Sequence, residues 1–448
     1  MNHTRKQRHR NSVSSANLNP RKVSKRNSSR TPGSRPFSFK KNKASRNQIT
    51  PRQTCKIAST CGSCTFVNQD YTTGLASKHA EGIKILRTNN ILENATVTDP
   101  IASPRVLGYR NQAKLVFKAS SDSQCGFQIG LYAPGSHNVI DTSGCAVQMP
   151  IINKWIEAFK VACIPLKNQI SVWNPKEQQG TLRYLIVRAG FRSQEMQVTF
   201  VCSDNKLDNE LKRVTRGMRD LFRISGVFVN LQSSSGNAII GPKTNKLWGK
   251  SKLYSQLGNY EYQLTPESFF QLNSWQAENI YHRVGSLAGS QAFGDERKPI
   301  AWDLYAGQGA ISMTLADRGF RVLAIEENPH SVAAGQANSK QITNPESVEY
   351  IAGRVEDVTA KIPTWAARPS MIVANPSRRG MATAVREQLQ HYLQQTPSSV
   401  LIYISCDINS LARDLADFVK SGAQVKQVES YDMFAQTDKL EWLVVISR

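Results

Sequence analysis

Cys406 ends the apolar run VLIYISC and stands just ahead of a helix-like segment, NSLARDLADFVKSG. Open α/β sheets place their chemistry at the carboxyl ends of their strands, and a cysteine there can act as a nucleophile. Glu441, in DMFAQTDKLEWLVV, begins the last apolar run and can serve as a general base. Either residue alone is ordinarily inert: a strand-end cysteine is core, and a strand-start glutamate is solvated. The case for chemistry rests on the residues that accompany them.

Three further cysteines crowd into CKIASTCGSC, where Cys55, Cys61 and Cys64 form a C-x5-C-x2-C run. No apolar h-region follows the N-terminus, so a disulfide framework is not expected. Clustered thiolates at these spacings suit a soft metal or an iron–sulfur cluster. A fourth ligand is needed, and Cys125 and Cys145 are the candidates. Structural zinc more often shows two CxxC pairs, and one is present here.

DLYAGQG places Asp303, Gly307 and Gly309 at a strand-to-helix turn where the backbone can approach a ligand closely. Glu326 ends the next strand, seventeen residues after Gly309, where a carboxylate can accept ribose hydroxyls. Ser312 stands where a dinucleotide fingerprint needs Gly or Ala, and D-x-x-x-G-x-G instead resembles the first motif of S-adenosylmethionine-dependent methyltransferases. A third strand-end motif, VANPSRRG, brings Asn375 and Pro376. Its likeness to the loop with which amino-methyltransferases hold a target nitrogen gives a rival, N-methylation of a base or amide. An N-methyltransferase has no use for a thiol. Methylation at C5 of a uracil does need one, because a thiolate adding to C6 turns C5 into a nucleophile, and a base must later remove the C5 proton.

The elements that carry these residues alternate. From PIAWDLYAG onward, strand and helix patterns succeed one another to the C-terminus, which predicts an α/β class, Rossmann-like, mostly parallel sheet. Residues from about 100 to 205 read as an α+β module, with helices over MPIINKWIEAFKVACIPL and SDNKLDNELKRVTRGMRDLF, the second capped by Asp204 or Asn205. Three domains follow: a basic tail over 1–53, a cluster-binding segment and central α+β RNA-recognition domain over 54–260, and a Rossmann-like domain over 261–448. The net charge is +23, and residues 1–50 hold 14 Lys or Arg and no acid, leaving +9 for the rest. A polyanionic partner, nucleic acid, is implied, with the tail a disordered RNA-binding arm rather than a transit peptide. No run of about 18 apolar residues occurs, so no transmembrane helix is expected.

NPSRRG, LIYISCDINSLARDL and DMFAQTDKLE together resemble the ordered motifs of the RNA uracil-C5 methyltransferase family. The likeness is greatest to the bacterial 23S ribosomal RNA enzymes that carry an iron–sulfur cluster. It runs from about residue 54 to 448 and takes in CKIASTCGSC, GYRNQAKLVF, GSHNVIDTSGC and ESFFQLNSWQAENIY. An N-terminal β-barrel domain present in some members is not expected. The resemblance implies Cys406 as nucleophile and Glu441 as C5 proton acceptor. It implies Gln271, Tyr305, Glu326 and Asn375, with Gly307 of the glycine turn, as S-adenosylmethionine contacts, and Cys55, Cys61, Cys64 and Cys145 as ligands of a [4Fe-4S] cluster. The chain departs from the family at Asp407 (usually Asn), Ser410 (Thr), Ala435-Gln436-Thr437 (Pro-His-Thr) and Lys439 (His). A carboxylate beside the thiol would raise its pKa unless it points away.

The expected function is therefore formation of 5-methyluridine at one uridine of 23S ribosomal RNA through a covalent Cys–C6 adduct. A transfer-RNA uridine is the alternative substrate, and an inactive RNA-binding member the alternative class. Arg110, Lys114, Arg378 and Arg379 are RNA-contact candidates, while Tyr109, Phe117 and Phe127 are read as sheet core before base stackers. A cytoplasmic monomer without membrane association is expected.

Overall fold

The computed structural model describes residues 55–234, 238–289 and 298–448. The expected basic tail lies outside these residues.

Short helix α1 (Ala58–Cys61) and long helix α2 (Tyr71–Thr88) precede a two-residue strand, β1 (Thr96–Val97). Asp70 starts α2, its carboxylate accepting from Thr73 N at 2.9 Å. Then come β2 (Gln112–Ala119), β3 (Phe127–Tyr132), β4 (Val139–Asp141), α3 (Pro150–Cys163), β5 (Leu182–Ala189), β6 (Met196–Cys202), α4 (Asp208–Gly217), β7 (Ile224–Leu231) and β8 (Lys243–Gly249). The strands β2 to β8 form one sheet, ordered β4-β3-β2-β5-β6-β7-β8. Its pairs are antiparallel apart from β6 and β7, which α4 connects as a crossover. Ile152, Trp155, Ile156 and Phe159 of α3 pack with Leu211 and Val214 of α4 on the sheet's apolar face. The expected cap of α4 is not found. Leu207 holds that position without a side-chain bond, because Asp204 accepts from Thr181 Oγ1 (3.0 Å) and from Lys206 N (3.1 Å) instead.

A hairpin, β9 (Leu253–Leu257) and β10 (Tyr260–Leu264), and α5 (Ser274–Gly289) lead into the second sheet. Its elements are β11 (Ile300–Leu304), α6 (Ala310–Ala316), β12 (Arg321–Glu326), α7 (Pro329–Ser339), β13 (Val348–Ala352), α8 (Val355–Val358), β14 (Met371–Ala374), α9 (Thr383–Gln395), β15 (Val400–Ser405), α10 (Ile408–Lys420), β16 (Gln424–Tyr431) and β17 (Glu441–Ser447). The order is β1-β16-β17-β15-β14-β11-β12-β13, and β17 runs antiparallel to both neighbours.

Period-two alternation divides this sheet's side chains between two cores. Trp302, Leu304, Ile372, Ala374, Leu401 and Tyr403 face α2, α9 and α10. Ala301, Met371, Val373, Ile402 and Ile404 face α5 and α6. Residues far upstream complete it: β1 pairs with β16, and Ile101 bridges Tyr431. Tyr109, Phe117 and Phe127 are buried. Among the described residues no helix is long and apolar enough to cross a membrane.

Candidate active site

Strand β11 lies between β12 and β14, so successive crossovers leave it in opposite directions. Such a reversal opens a crevice at the carboxyl ends of the strands. A cavity of about 1250 Å³ occupies this edge. Gln271, Tyr305, Gly307, Glu326, Asn375, Arg378, Arg379, Cys406 and Glu441 all line it. Residues from Gln271 to Glu441 thus meet because most of them lie at, or a few residues past, a strand end.

The loop after β11 turns by left-handed backbone at Tyr305 (φ 62°), Gly307 (φ 54°) and Gly309 (φ 85°). A Cβ on Gly309 would overlap the Tyr350 hydroxyl, so the residue must be glycine on two counts. Tyr305 adopts this region without being glycine, a conformation that only its surroundings can hold. Glu326 fixes the loop by accepting from Gly307 N and Asn328 N, both at 2.9 Å. Its carboxylate retains lone pairs for a ligand. Ser312 Oγ donates to Asp303 Oδ2 at 2.5 Å, so the serine that breaks the dinucleotide pattern ties α6 to β11. Burial pushes the Asp303 carboxyl up to about 7. Gln271 hydrogen-bonds Tyr281, another cavity residue.

On the other side of the cavity, β15 pairs with β17 with Ser405 opposite Trp442. One further step along this antiparallel register sets Cys406 against Glu441. Glu441 is only 4% exposed, and burial pushes its carboxyl up to about 8 against the opposing charge of Arg378. The Cys406 thiol is raised by burial and then by Glu441, while Arg378 lowers it by charge and by a hydrogen bond. Arg378, read from sequence as an RNA contact, therefore acts on both candidate catalytic groups. Asp407 points away from the thiol: it caps α10, accepting from Ser410 N at 2.9 Å. Ser405 and Ser410 hydroxyls each donate to Asp407 O at 3.1 Å, fixing the backbone on both sides of the cysteine.

Cys55, Cys61, Cys64 and Cys145 form a second group. Burial and then repulsion from Cys145 push the Cys64 thiol up to about 12, with Cys61 and Cys55 adding to it and Arg110 opposing. Arg110 thus faces the thiols, and its Nε is buried without a partner. Among the described residues, no three His, Cys, Asp or Glu side chains gather closely enough to hold a single metal ion. Cys125 lies apart, in the core beneath the first sheet. Lys114 is exposed on β2. Cys64 and Cys145 pack with Tyr109 against Ala435, in the connection that leads to Glu441. Sequence patterns gave no sign of what grips this connection: Lys78 and Tyr71 of α2 both bond Asp432, across more than 350 residues.

A family model described as tRNA (Uracil-5-)-methyltransferase matches residues 148–448. An uncharacterized RNA methyltransferase of Synechocystis sp. is 30% identical, with 88% of this chain and 82% of the relative covered. One from Clostridium tetani is 28% identical over 90% of this chain and 84% of its own. Among solved structures, the Pyrococcus abyssi tRNA (uracil-54, C5)-methyltransferase in complex with S-adenosyl-L-homocysteine superposes with a TM-score of 0.66 at 25% identity. That match covers 86% of this chain and 85% of the other.

Proposed function

The chain belongs to the tRNA (uracil-5-)-methyltransferase family, and from that premise we propose that it forms 5-methyluridine at one uridine of 23S ribosomal RNA by way of a covalent Cys406 adduct. The observation that carries the proposal is the placing of Cys406 and Glu441 across one strand pair, in the cavity that also holds Tyr305, Gly307 and Glu326.

S-adenosylmethionine supplies an electrophilic methyl group when bound. Glu326 suits its ribose hydroxyls, and Gln271, Tyr305, Gly307 and Asn375 line the same space. The backbone there already turns by left-handed residues, leaving room for a ligand against the main chain. The Cys406 thiolate attacks C6 of the flipped uracil, and the C5=C6 electrons move toward O4. C5 then bonds to the methyl carbon as the sulfonium S–CH3 bond breaks, the electron pair staying on sulfur to leave S-adenosylhomocysteine. Glu441 accepts the C5 proton, the C–H electron pair restores the C5=C6 bond, and the C6–S bond breaks to release the thiolate. Arg378 holds the negative charge of whichever partner is ionised, and with Arg379 suits RNA phosphate at the mouth.

Cys55, Cys61, Cys64 and Cys145 are proposed to hold a [4Fe-4S] cluster. Their mutual repulsion calls for a cationic core, and the partnerless Arg110 Nε suits the anionic whole. Arg110 then serves the cluster before RNA, and Lys114 remains the exposed RNA candidate. The likeness of the cysteine run to the cluster-bearing ribosomal enzymes favours ribosomal RNA. The Pyrococcus abyssi neighbour, a tRNA enzyme, favours the transfer-RNA reading. All groups the reaction needs line one chain's cavity, so the enzyme is taken to act as a monomer.

The test incubates the protein and S-adenosylmethionine with 5-fluorouridine-substituted 23S ribosomal RNA or transfer RNA, followed by a denaturing gel. Fluorine at C5 cannot leave as a proton, so C5 chemistry traps the RNA covalently. A ribosomal adduct lost in Cys406→Ala is expected. An adduct with transfer RNA alone selects the alternative substrate, and none with either removes the covalent mechanism.

A further inference from the structure

Resting on that reading, we propose that Lys78 is a positioning residue for Glu441: from α2 it ties both ends of the Asp432–Leu440 connection and so sets where the base stands at the head of β17. An ammonium has three donors, and all three go to this connection. Lys78 Nζ reaches Asp432 Oδ1 at 2.5 Å, Thr437 O at 3.1 Å and Lys439 O at 3.3 Å. The first is at the end of β16, and the last is two residues before Glu441. Tyr71 donates to the other oxygen, Asp432 Oδ2, at 2.7 Å. The Lys78 and Asp432 side chains are 4% and 0% exposed, so the pair cannot exchange with water as a surface pair does.

The connection needs such a hold. Gln436 takes a left-handed turn at φ 72° without being glycine. Strand pairing reaches only Tyr431 and Glu441, so the residues between them are outside the sheet. Tyr109 Oη and Phe66 N bond the carbonyls of Ala435 and Gln436, both at 2.9 Å, near the turn's tip. Among the described residues, Lys78 alone bonds both of its feet. Helix α2 also seats the strand itself. The His79 ring stacks on Trp442 with centroids 5.9 Å apart, and a Cβ at Gly82 would overlap the same indole. Cys406, by contrast, is held by bonds among Ser405, Asp407 and Ser410.

The two catalytic groups act at different times, which separates a fault in one from a fault in the other. Once Cys406 is ionised, attack by its thiolate and the methyl transfer that follows do not call on Glu441. Glu441 acts last, when the C5–H pair becomes the C5=C6 bond and sulfur leaves C6 with its electrons. A fault confined to the placing of Glu441 therefore stalls the reaction after methyl transfer, with RNA still bound to Cys406. General damage to the fold gives no such species.

Lys78→Met in the full chain, given ordinary uridine RNA and S-adenosylmethionine, should lose at least about tenfold in turnover. It should complete one methyl transfer per enzyme and show a covalent protein–RNA band that wild type lacks. Tyr71→Phe keeps the ion pair and should show a weaker band. Should Lys78→Met fail to fold, Tyr71→Phe and the neutral pair Lys78→Met with Asp432→Asn decide the matter by the same band. Reduced turnover without the band, or unchanged turnover in folded Lys78→Met, overturns the assignment. Wild type that is not trapped by 5-fluorouridine RNA overturns the parent reading as well.

Discussion

The carboxyl edge of the second sheet and the cysteine loop are built on different principles. At the edge, Tyr305, Asn375 and Cys406 each stand one residue past a strand, and Glu326 ends one. Strand length and register alone bring them together. The four grouped cysteines come instead from two segments 81 residues apart, joined by loop bonds and a four-residue helix. A periodic scaffold holds its site before any ligand arrives. The cysteine loop lacks such a scaffold, and on the proposed reading a bound cluster would complete it. Substitutions at the edge should thus change chemistry with little effect on stability, while those at the loop should change stability first.

The largest break in that comparison is expected from Cys406→Ala, which should abolish methylation while leaving S-adenosylmethionine affinity within about twofold. Glu441→Gln should lower turnover by about 10²–10⁴ and accumulate the methylated adduct. Its pH dependence sharpens the point. The buried carboxyl stays protonated in the folded protein up to about 8, whereas the unfolded chain releases that proton near the ordinary carboxylate value. Folding stability therefore falls as pH rises from about 4.5 to 8, and the penalty is complete above that. Glu441→Gln should remove it, making the variant more stable than wild type by on the order of 1–3 kcal/mol at pH 9 and about equal at pH 4. Wild-type turnover, which needs Glu441 ionised to take the C5 proton, should rise through pH 8. Thermal unfolding and turnover across pH check both.

This contrast also explains what the sequence could tell. The strands and helices of the second sheet were legible because apolar alternation and strand-end glycines mark each element locally. Cys406 and Glu441 were legible as candidates for the same reason. The Lys78–Asp432 pair was not, since nothing local distinguishes a buried lysine on an amphipathic helix from a solvated one, and its partner lies 354 residues away. Arg378 was legible as a basic residue past a strand end, but its action on both thiol and carboxylate depends on how the loop after β14 folds back. The α4 cap was misread because Thr181, distant in sequence, claims Asp204.

A smaller effect is expected from Cys64→Ser, which removes the thiol that interacts with all three of its neighbours. The unfolding midpoint should fall by on the order of 5 °C, since one or two kcal/mol moves a domain of this size by a few degrees. Turnover should drop about tenfold, equivalent to about 1.4 kcal/mol, because Cys64 and Cys145 pack against Ala435 ahead of Glu441. Binding of S-adenosylmethionine on the far side of the cavity should not change. A loss of that binding equal to the loss of turnover would mean that the loop and the edge are one unit, and the comparison would fail.

The smallest effect belongs to Asp407→Asn. The family's usual asparagine and this chain's aspartate are equally good helix caps, so stability should change by less than about 0.5 kcal/mol. The question is whether a charge next in sequence to the nucleophile disturbs it. The groups that set the Cys406 thiol are its burial, Glu441 and Arg378, and the Asp407 carboxylate is turned toward Ser410 N. The N-terminus of α10 also disperses that negative charge, since unpaired N–H groups there favour an anion. Alkylation of Cys406 measured against pH should therefore give curves for Asp407→Asn and wild type that coincide within about 0.3 pH units. Asp407→Ala, which leaves Ser410 N without its acceptor, should instead cost about 1 kcal/mol of stability and loosen the turn that presents the thiol. If Asp407→Asn moved the alkylation curve to lower pH by a full unit, the carboxylate would have to face the thiol in solution, and the edge would be less fixed by its strands than the register implies.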